Sequence, residues 1–141
     1  ETGGKVLDAT RITACIPTIN YALKNNAKIL LVSHLGRPAE SVFEDQFSLK
    51  PVAACLSEII DESVEVVDQL DSKKIFNSAS RVQILENIRF FKGEKDNSDE
   101  LGSILGSLGL YMFLMHLVLH IESKLRHILQ LNMLLLHALV Y

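Results

Sequence analysis

Three short apolar segments, separated by stretches of helical period, constrain the fold of this chain more than any other feature. They occupy 28–33, 64–67 and 81–85, and the first contains four consecutive apolar residues, Ile29 to Val32. Uninterrupted apolar runs of this length are typical of strands covered on both faces, as in parallel sheets. Helices between such strands form βαβ units with right-handed crossovers. The sequence therefore predicts an α/β fold with a doubly wound, mostly parallel sheet and helices on both faces.

Capping residues and apolar spacing predict where the helices lie. Asp8 or Thr10 can cap a first helix that ends at Asn25-Asn26, and Pro17 either kinks it or marks its first turn. Ser48 predicts the cap of a second helix, which continues to Ile60. Further along, the sequence indicates three segments, namely a short helix plus loop in 71–80, a charged loop over 92–99 and a last helix over 99–108.

Composition narrows the class of protein. The chain has 141 residues, 48% hydrophobic and 22% charged, which is typical of one globular domain. Its formal charge of −3 argues against nucleic acid as a partner, because nucleic-acid binders usually carry a basic excess. Cys15 and Cys55 fall on apolar helical positions without metal-ligand spacing, so we expect buried core thiols and no metal site.

The start of the chain indicates a compartment. Residues 1–5 resemble a turn rather than a signal peptide, and the first residue is Glu1 rather than Met. We therefore expect the chain to be cut from a longer protein. Without a secretory signal or paired cysteines, the expected localisation is cytoplasmic.

Charged side chains follow two of the predicted strands. His34, Gly36 and Arg37 come directly after the first strand, where doubly wound folds bind anions. Gly36 permits close backbone approach, and Arg37 can hold a phosphate or carboxylate through two parallel hydrogen bonds. Arg89 follows a later strand, and Arg11 lies at a helix start, where a cation opposes the macrodipole unless an anion accompanies it. These groups could form a phosphate clamp, although an ordinary turn with a solvated arginine fits Arg37 equally well.

Four motifs in this order and spacing resemble the phosphoglycerate kinase family over nearly all of 3–109. They are Asp8-Ala-Thr-Arg-Ile-Thr-Ala-Cys-Ile-Pro-Thr-Ile, Lys28-Ile-Leu-Leu-Val-Ser-His-Leu-Gly-Arg-Pro, Ser48-Leu-Lys-Pro-Val-Ala and Leu85-Glu-Asn-Ile-Arg-Phe-Phe-Lys-Gly-Glu. The resemblance implies an incomplete, Rossmann-like N-terminal lobe of a glycolytic enzyme that moves a phosphoryl group between 1,3-bisphosphoglycerate and ADP. It implies a monomer, whose C-terminal lobe binds Mg-ATP or Mg-ADP.

The resemblance also implies roles for individual residues. Arg11 matches the catalytic arginine that steadies the transferring phosphoryl group and contacts substrate. The other positions that match the 3-phosphoglycerate site are His34, Leu35, Gly36, Arg37 and Arg89. Phosphoryl transfer depends on positioning and charge stabilisation, which agrees with such a cluster.

Three parts of the family pattern are absent from these residues. They are the Asp-x-Asn of the family's first strand, a later Ala-His-Arg and the whole nucleotide lobe. We therefore expect the chain alone to bind no nucleotide cofactor and to be inactive, with 3-phosphoglycerate as its small-molecule ligand.

Residues 110–141 break with the pattern. Where the family continues Asp-Ile-Tyr-Val-Asn-Asp-Ala-Phe-Gly-Thr-Ala-His-Arg, this chain has Leu110-Tyr-Met-Phe-Leu-Met-His-Leu-Val-Leu-His-Ile-Glu122. Permitted codons for these residues, shifted by one reading frame, give Ile-Tyr-Val-Phe-Asp-Ala-Phe-Gly-Thr-Ala-His-Arg. We therefore expect an in-frame lobe over 1–109 and an out-of-frame apolar tail over 110–141.

Other interpretations of the tail remain open. Segment 104–121 is uncharged and has about the shortest length that crosses a bilayer, but its glycines and histidines disfavour a membrane span. His116 and His120 have the spacing of metal ligands on a helix, but a shifted frame produces both from unrelated codons. The leucines could cover the sheet as a helix or form an aggregation-prone patch. The alternative to an enzyme fragment is thus a non-enzymatic, truncated or pseudogene-like product that aggregates or associates with membrane.

Overall fold

The computed structural model describes residues 10–96, 98–108 and 112–114; the side chains of Arg11 and 112–114 are not described. Within these ranges the helices are α1 Thr10–Lys24, α2 Lys50–Ile60, α3 Ser72–Asn77 and α4 Asp99–Ser107, and the strands are β1 Ile29–Val32, β2 Val64–Val67, β3 Val82–Leu85 and β4 Met112–Leu114. Short 3-10 helices occupy Asp45–Phe47 and Ile88–Phe90. The predicted strands and helices are confirmed to within a few residues, whereas β4 was not expected.

The described strands form one parallel sheet in the order β2-β3-β1-β4. Ile29 of β1 pairs with Val82 of β3, and Leu30 pairs with Met112 of β4. Residues 112–114 of the predicted apolar tail therefore continue the sheet as a strand. The idea that the tail forms a covering helix is wrong for these residues.

Helices cover both faces of the sheet, as the uninterrupted apolar strands predict. Ile29 and Leu31 point into a core shared with α1 and α2, whereas Leu30 and Val32 face α3 and α4. The β1-to-β2 crossover passes over the first face, and the crossovers to β3 and β4 travel in the opposite direction over the second face. This reversal is what consistent handedness requires, and it confirms the doubly wound α/β fold.

Two helix predictions need correction. Pro17 lies inside α1, so it does not mark the first turn. The N-cap of α2 is Leu49 rather than Ser48, although the Ser48 hydroxyl accepts a hydrogen bond of 3.3 Å from the Lys50 amide. The physical reason is that a distant carboxylate binds the Leu49 amide, as described below. The proposed Asp8 cap lies outside the described residues.

The two cysteines pack against the core on the α1–α2 side. Both are half-buried and neither forms a disulfide with a described residue, and burial raises the pKa of the Cys15 thiol. Among 10–96, 98–108 and 112–114, no helix combines the length and the apolar character needed to cross a bilayer. The His116–His120 pair lies outside these residues.

Candidate functional site

The carboxyl ends of β1 and β3 are neighbours because these parallel strands pair directly. The segments that follow them, 33–38 and 86–91, therefore emerge at the same edge of the sheet. Helix α1 ends beside the start of β1, where Ala27 N donates to Ala22 O at 3.0 Å. Because α1 runs back along the sheet for 15 residues, its first turn lies towards the same edge.

Three hydrogen bonds join the two segments. The Ile88 amide donates to the Ser33 carbonyl at 3.1 Å, and Asn87 Nδ2 donates to the Leu35 carbonyl at 2.7 Å. Arg89 Nη1 donates to the Gly36 carbonyl. The two predicted anion-binding segments are thus held together by one backbone hydrogen bond and two side-chain hydrogen bonds.

Gly36 is required by both conformation and space. Its φ of 62° lies in the left-handed region, and a Cβ atom there would overlap the Phe47 ring. Asn87 stabilises the same packing, because its Nδ2 also donates a hydrogen bond to the Phe47 carbonyl at 2.9 Å. The glycine therefore lets the 33–38 segment lie against the segment before α2.

Glu86 anchors the same edge to α2. This buried carboxylate accepts from the Leu49 amide at 2.7 Å and from the Ser48 hydroxyl at 2.8 Å. Its Oε1 also accepts from the Asn87 amide at 2.9 Å. A negative charge at a helix N-terminus is favourable, and here it replaces a local side-chain cap.

Arg89 is held between an oxygen and a carboxylate. Besides the Gly36 carbonyl, its Nε lies 3.8 Å from Glu94 Oε1, and the two side chains are 18% and 12% exposed. The turn that carries Glu94 is bonded to the first segment, since Gly93 N donates to Glu40 Oε1 at 2.6 Å and Lys95 Nζ donates to the Pro38 carbonyl at 3.1 Å. Desolvation raises the pKa of Glu94, although Arg89 and Lys95 lower it.

The remaining predicted residues occupy the same edge in different environments. His34 and Leu35 are half-buried, whereas Arg37 is exposed and has no hydrogen bond or ion pair with the described residues. Pro38 next to it is fully buried. Arg11 lies in the first turn of α1, and its side chain is outside the description. The structure thus brings 33–38 and Arg89 together, and places the backbone of Arg11 towards them.

Sequence reasoning assigned no role to Glu86, Asn87, Glu94 or Phe47. The signal for the first two was present: a Glu-Asn pair follows a buried strand directly, where two polar groups need partners. The roles of Glu94 and Phe47 depend on contacts distant in sequence, and no local pattern indicates them.

The arrangement suits recognition of a small anion. The guanidinium of Arg37 is exposed to solvent. Arg89 has further N–H donors besides those that contact Gly36 and Glu94. Among the residues described, no three His, Cys, Asp or Glu side chains are grouped to hold a metal ion.

A family model described as phosphoglycerate kinase matches residues 1–114. The chain is 46% identical over 107 residues to the phosphoglycerate kinase of Francisella tularensis subsp. novicida (strain U112), and 42% identical over 106 residues to that of Desulfovibrio desulfuricans. Each alignment covers 75% of this chain and 27% of the relative. The chain thus spans about a quarter of the length of these relatives.

The fold gives the same match. The structure of phosphoglycerate kinase from Coxiella burnetii superposes with a TM-score of 0.70 and 34% sequence identity, covering 81% of this chain and 29% of the other. These similarities do not favour the alternative prediction of a non-enzymatic product.

Proposed function

The chain belongs to the phosphoglycerate kinase family, and from that premise we propose that it carries the 3-phosphoglycerate-binding part of the substrate site. The observation that carries the proposal is the junction of 33–38 with 86–91, which sets Arg37 and Arg89 at one strand edge. The family's small substrate has two anionic groups, a phosphate and a carboxylate, and two such cations suit it.

Within this proposal, each residue has a physical role. Arg37 binds an anionic group of the substrate directly, and Arg89 does so from a fixed position. His34 donates a hydrogen bond, while Leu35 and Gly36 shape the loop that holds them. Arg11 steadies the phosphoryl group during transfer, from the first turn of α1.

Phosphoryl transfer itself requires Mg-ATP or Mg-ADP, which the family's C-terminal lobe binds. We propose that these 141 residues on their own bind the glycerate substrate without transferring phosphate, and that they work in the cytoplasm.

Further, we propose that 110–141 are translated out of frame. The family match ends at residue 114, although the chain continues to Tyr141. Coding DNA in which no single insertion or deletion near Gly109 restores the family pattern would refute the frameshift.

Isothermal titration with 3-phosphoglycerate tests the substrate site. Arg37→Ala should weaken binding about tenfold, which corresponds to loss of roughly 1.4 kcal/mol from one charge-assisted contact. The matched control is Arg81→Ala, because Arg81 begins the segment at the opposite end of β3 and pairs with Glu62 there. The control should bind like the wild type. Equal affinities for the wild type and Arg37→Ala would contradict the proposal.

A further inference from the structure

The Arg89–Glu94 pair places an acidic group inside a site built for anions. The carboxylate lies 3.8 Å from Arg89 Nε and is only 12% exposed, so water screens it weakly. An anionic ligand that binds Arg89 is therefore repelled by the Glu94 carboxylate, which already forms an ion pair with the same guanidinium.

The charges around Glu94 do not cancel this effect. Three charged groups face Glu94. Two are cations, namely Lys95 on the same turn and Arg89 in the 88–90 segment. The third is a second acid, Glu40, which follows the 33–38 segment. Lys95 is also bonded to the Pro38 carbonyl, and Glu40 to the Gly93 amide. Of these two cations, Arg89 is the one that the proposed ligand also needs.

We propose that Glu94 is an internal counter-ion that competes with the ligand for Arg89 and so sets the affinity of the anion site. This inference rests on the proposed function. In the free protein the carboxylate compensates a largely buried guanidinium, which would otherwise be costly to desolvate. A bound anion takes over that compensation, so its binding favours the neutral form of Glu94.

The sign of the pH dependence follows from linkage. Because a bound anion disfavours ionised Glu94, binding raises the pKa of this carboxyl further above its usual range, where burial has already moved it. By reciprocity, protonated protein binds the anion more tightly. Anion affinity should therefore rise as pH falls through the pKa of Glu94, and this part of the rise should vanish when the carboxyl is removed.

Inorganic sulfate is a suitable probe because it keeps its charge across the working range. The full chain is titrated with sulfate between pH 4.5 and 8, as wild type, Glu94→Gln and Asp96→Asn. Asp96 is an exposed acid on the same turn, so Asp96→Asn makes the same change in charge at a side chain that is not the ion-pair partner of Arg89. All other ionisable groups are shared by the wild type and Glu94→Gln, so the ratio of their affinities isolates the Glu94 carboxyl.

Glu94→Gln should bind sulfate about threefold more tightly than the wild type at pH 8, which is the scale of a single ion pair with a separation of 3.8 Å. The ratio should fall towards one at the acid end, while Asp96→Asn should stay within about 1.5-fold throughout. Unchanged or weaker binding by Glu94→Gln at pH 8, in a variant with wild-type circular dichroism, would overturn the inference. A constant ratio across the pH range would overturn it as well.

The outcomes separate this inference from the function beneath it. If 3-phosphoglycerate binding depends on Arg37 but sulfate affinity ignores Glu94, only the counter-ion role fails. If neither ligand binds the wild type or Glu94→Gln, the proposed function fails, and the counter-ion role fails with it.

Discussion

Replacing Asn87 by aspartate tests the contacts that join the two site segments. The side chain is fully buried, and its Nδ2 donates to the carbonyls of Leu35 and Phe47 at 2.7 and 2.9 Å. Its Oδ1 accepts from the Arg89 amide at 3.2 Å. Aspartate has the same shape and keeps the acceptor, but when ionised it has no donor for either carbonyl.

The cost can be worked from these contacts. Each buried carbonyl left without its donor costs about 1–3 kcal/mol, so the two together cost roughly 2–6 kcal/mol. An ionised carboxylate facing two carbonyl oxygens in a buried site is also disfavoured, which raises its folded-state pKa. We therefore expect Asn87→Asp to lose about 4 kcal/mol at pH 7.5, a large share of the roughly 5–15 kcal/mol by which domains are stable.

The loss should depend on pH. A protonated aspartic acid can donate to one of the two carbonyls, so part of the stability returns in acid. Because the folded pKa exceeds the unfolded value, this contribution is complete below the unfolded pKa and disappears as pH rises through the folded pKa.

Urea unfolding followed by circular dichroism, at pH 5 and pH 7.5, measures both effects. The matched control is Asn20→Asp, since Asn20 is exposed on α1, and its free energy of unfolding should change by less than about 0.5 kcal/mol. A similarly small loss for Asn87→Asp at pH 7.5, or a loss that is equal at the two pH values, would refute the reasoning.

Substitutions at two further positions test the supports of the site. Gly36→Ala should lower the free energy of unfolding by about 3 kcal/mol, because a left-handed φ and overlap with the Phe47 ring both oppose a side chain; thermal unfolding at an unchanged midpoint would contradict this. Glu86→Gln should cost about 1–2 kcal/mol, because one charged acceptor at the Leu49 amide becomes neutral, and Glu86→Ala should cost more. Urea midpoints that rank the two Glu86 variants the other way would contradict the capping role.

Much of the fold could be predicted because local and global preferences agree. The run Ile29 to Val32 is apolar at every position, and the structure buries all four residues between two helical layers. The strand β4 was missed because 110–121 is apolar without a turn signal, so periodicity alone could not separate strand from helix.

Part of the site was also within reach of the sequence. Arg37 and Arg89 each follow an apolar run, and parallel pairing of β1 with β3 sets them at the same edge. What the sequence could not supply is the set of long-range partners. Glu94 looks like one charge among several in a loop, and its distinguishing feature is the guanidinium it contacts.

The two arginines also differ in the conformational entropy that each would lose on binding a ligand. Arg89 is held by Gly36 and Glu94 before any ligand arrives, whereas the exposed Arg37 side chain must lose rotamer freedom, about 0.5–1.5 kcal/mol, when it binds. A small anion makes few contacts, so its affinity depends strongly on how little must be ordered. We therefore expect Asn87, which touches no ligand in this proposal, to influence affinity by fixing the loop on which both arginines depend. Loosening that loop should weaken anion binding even where every charge is retained.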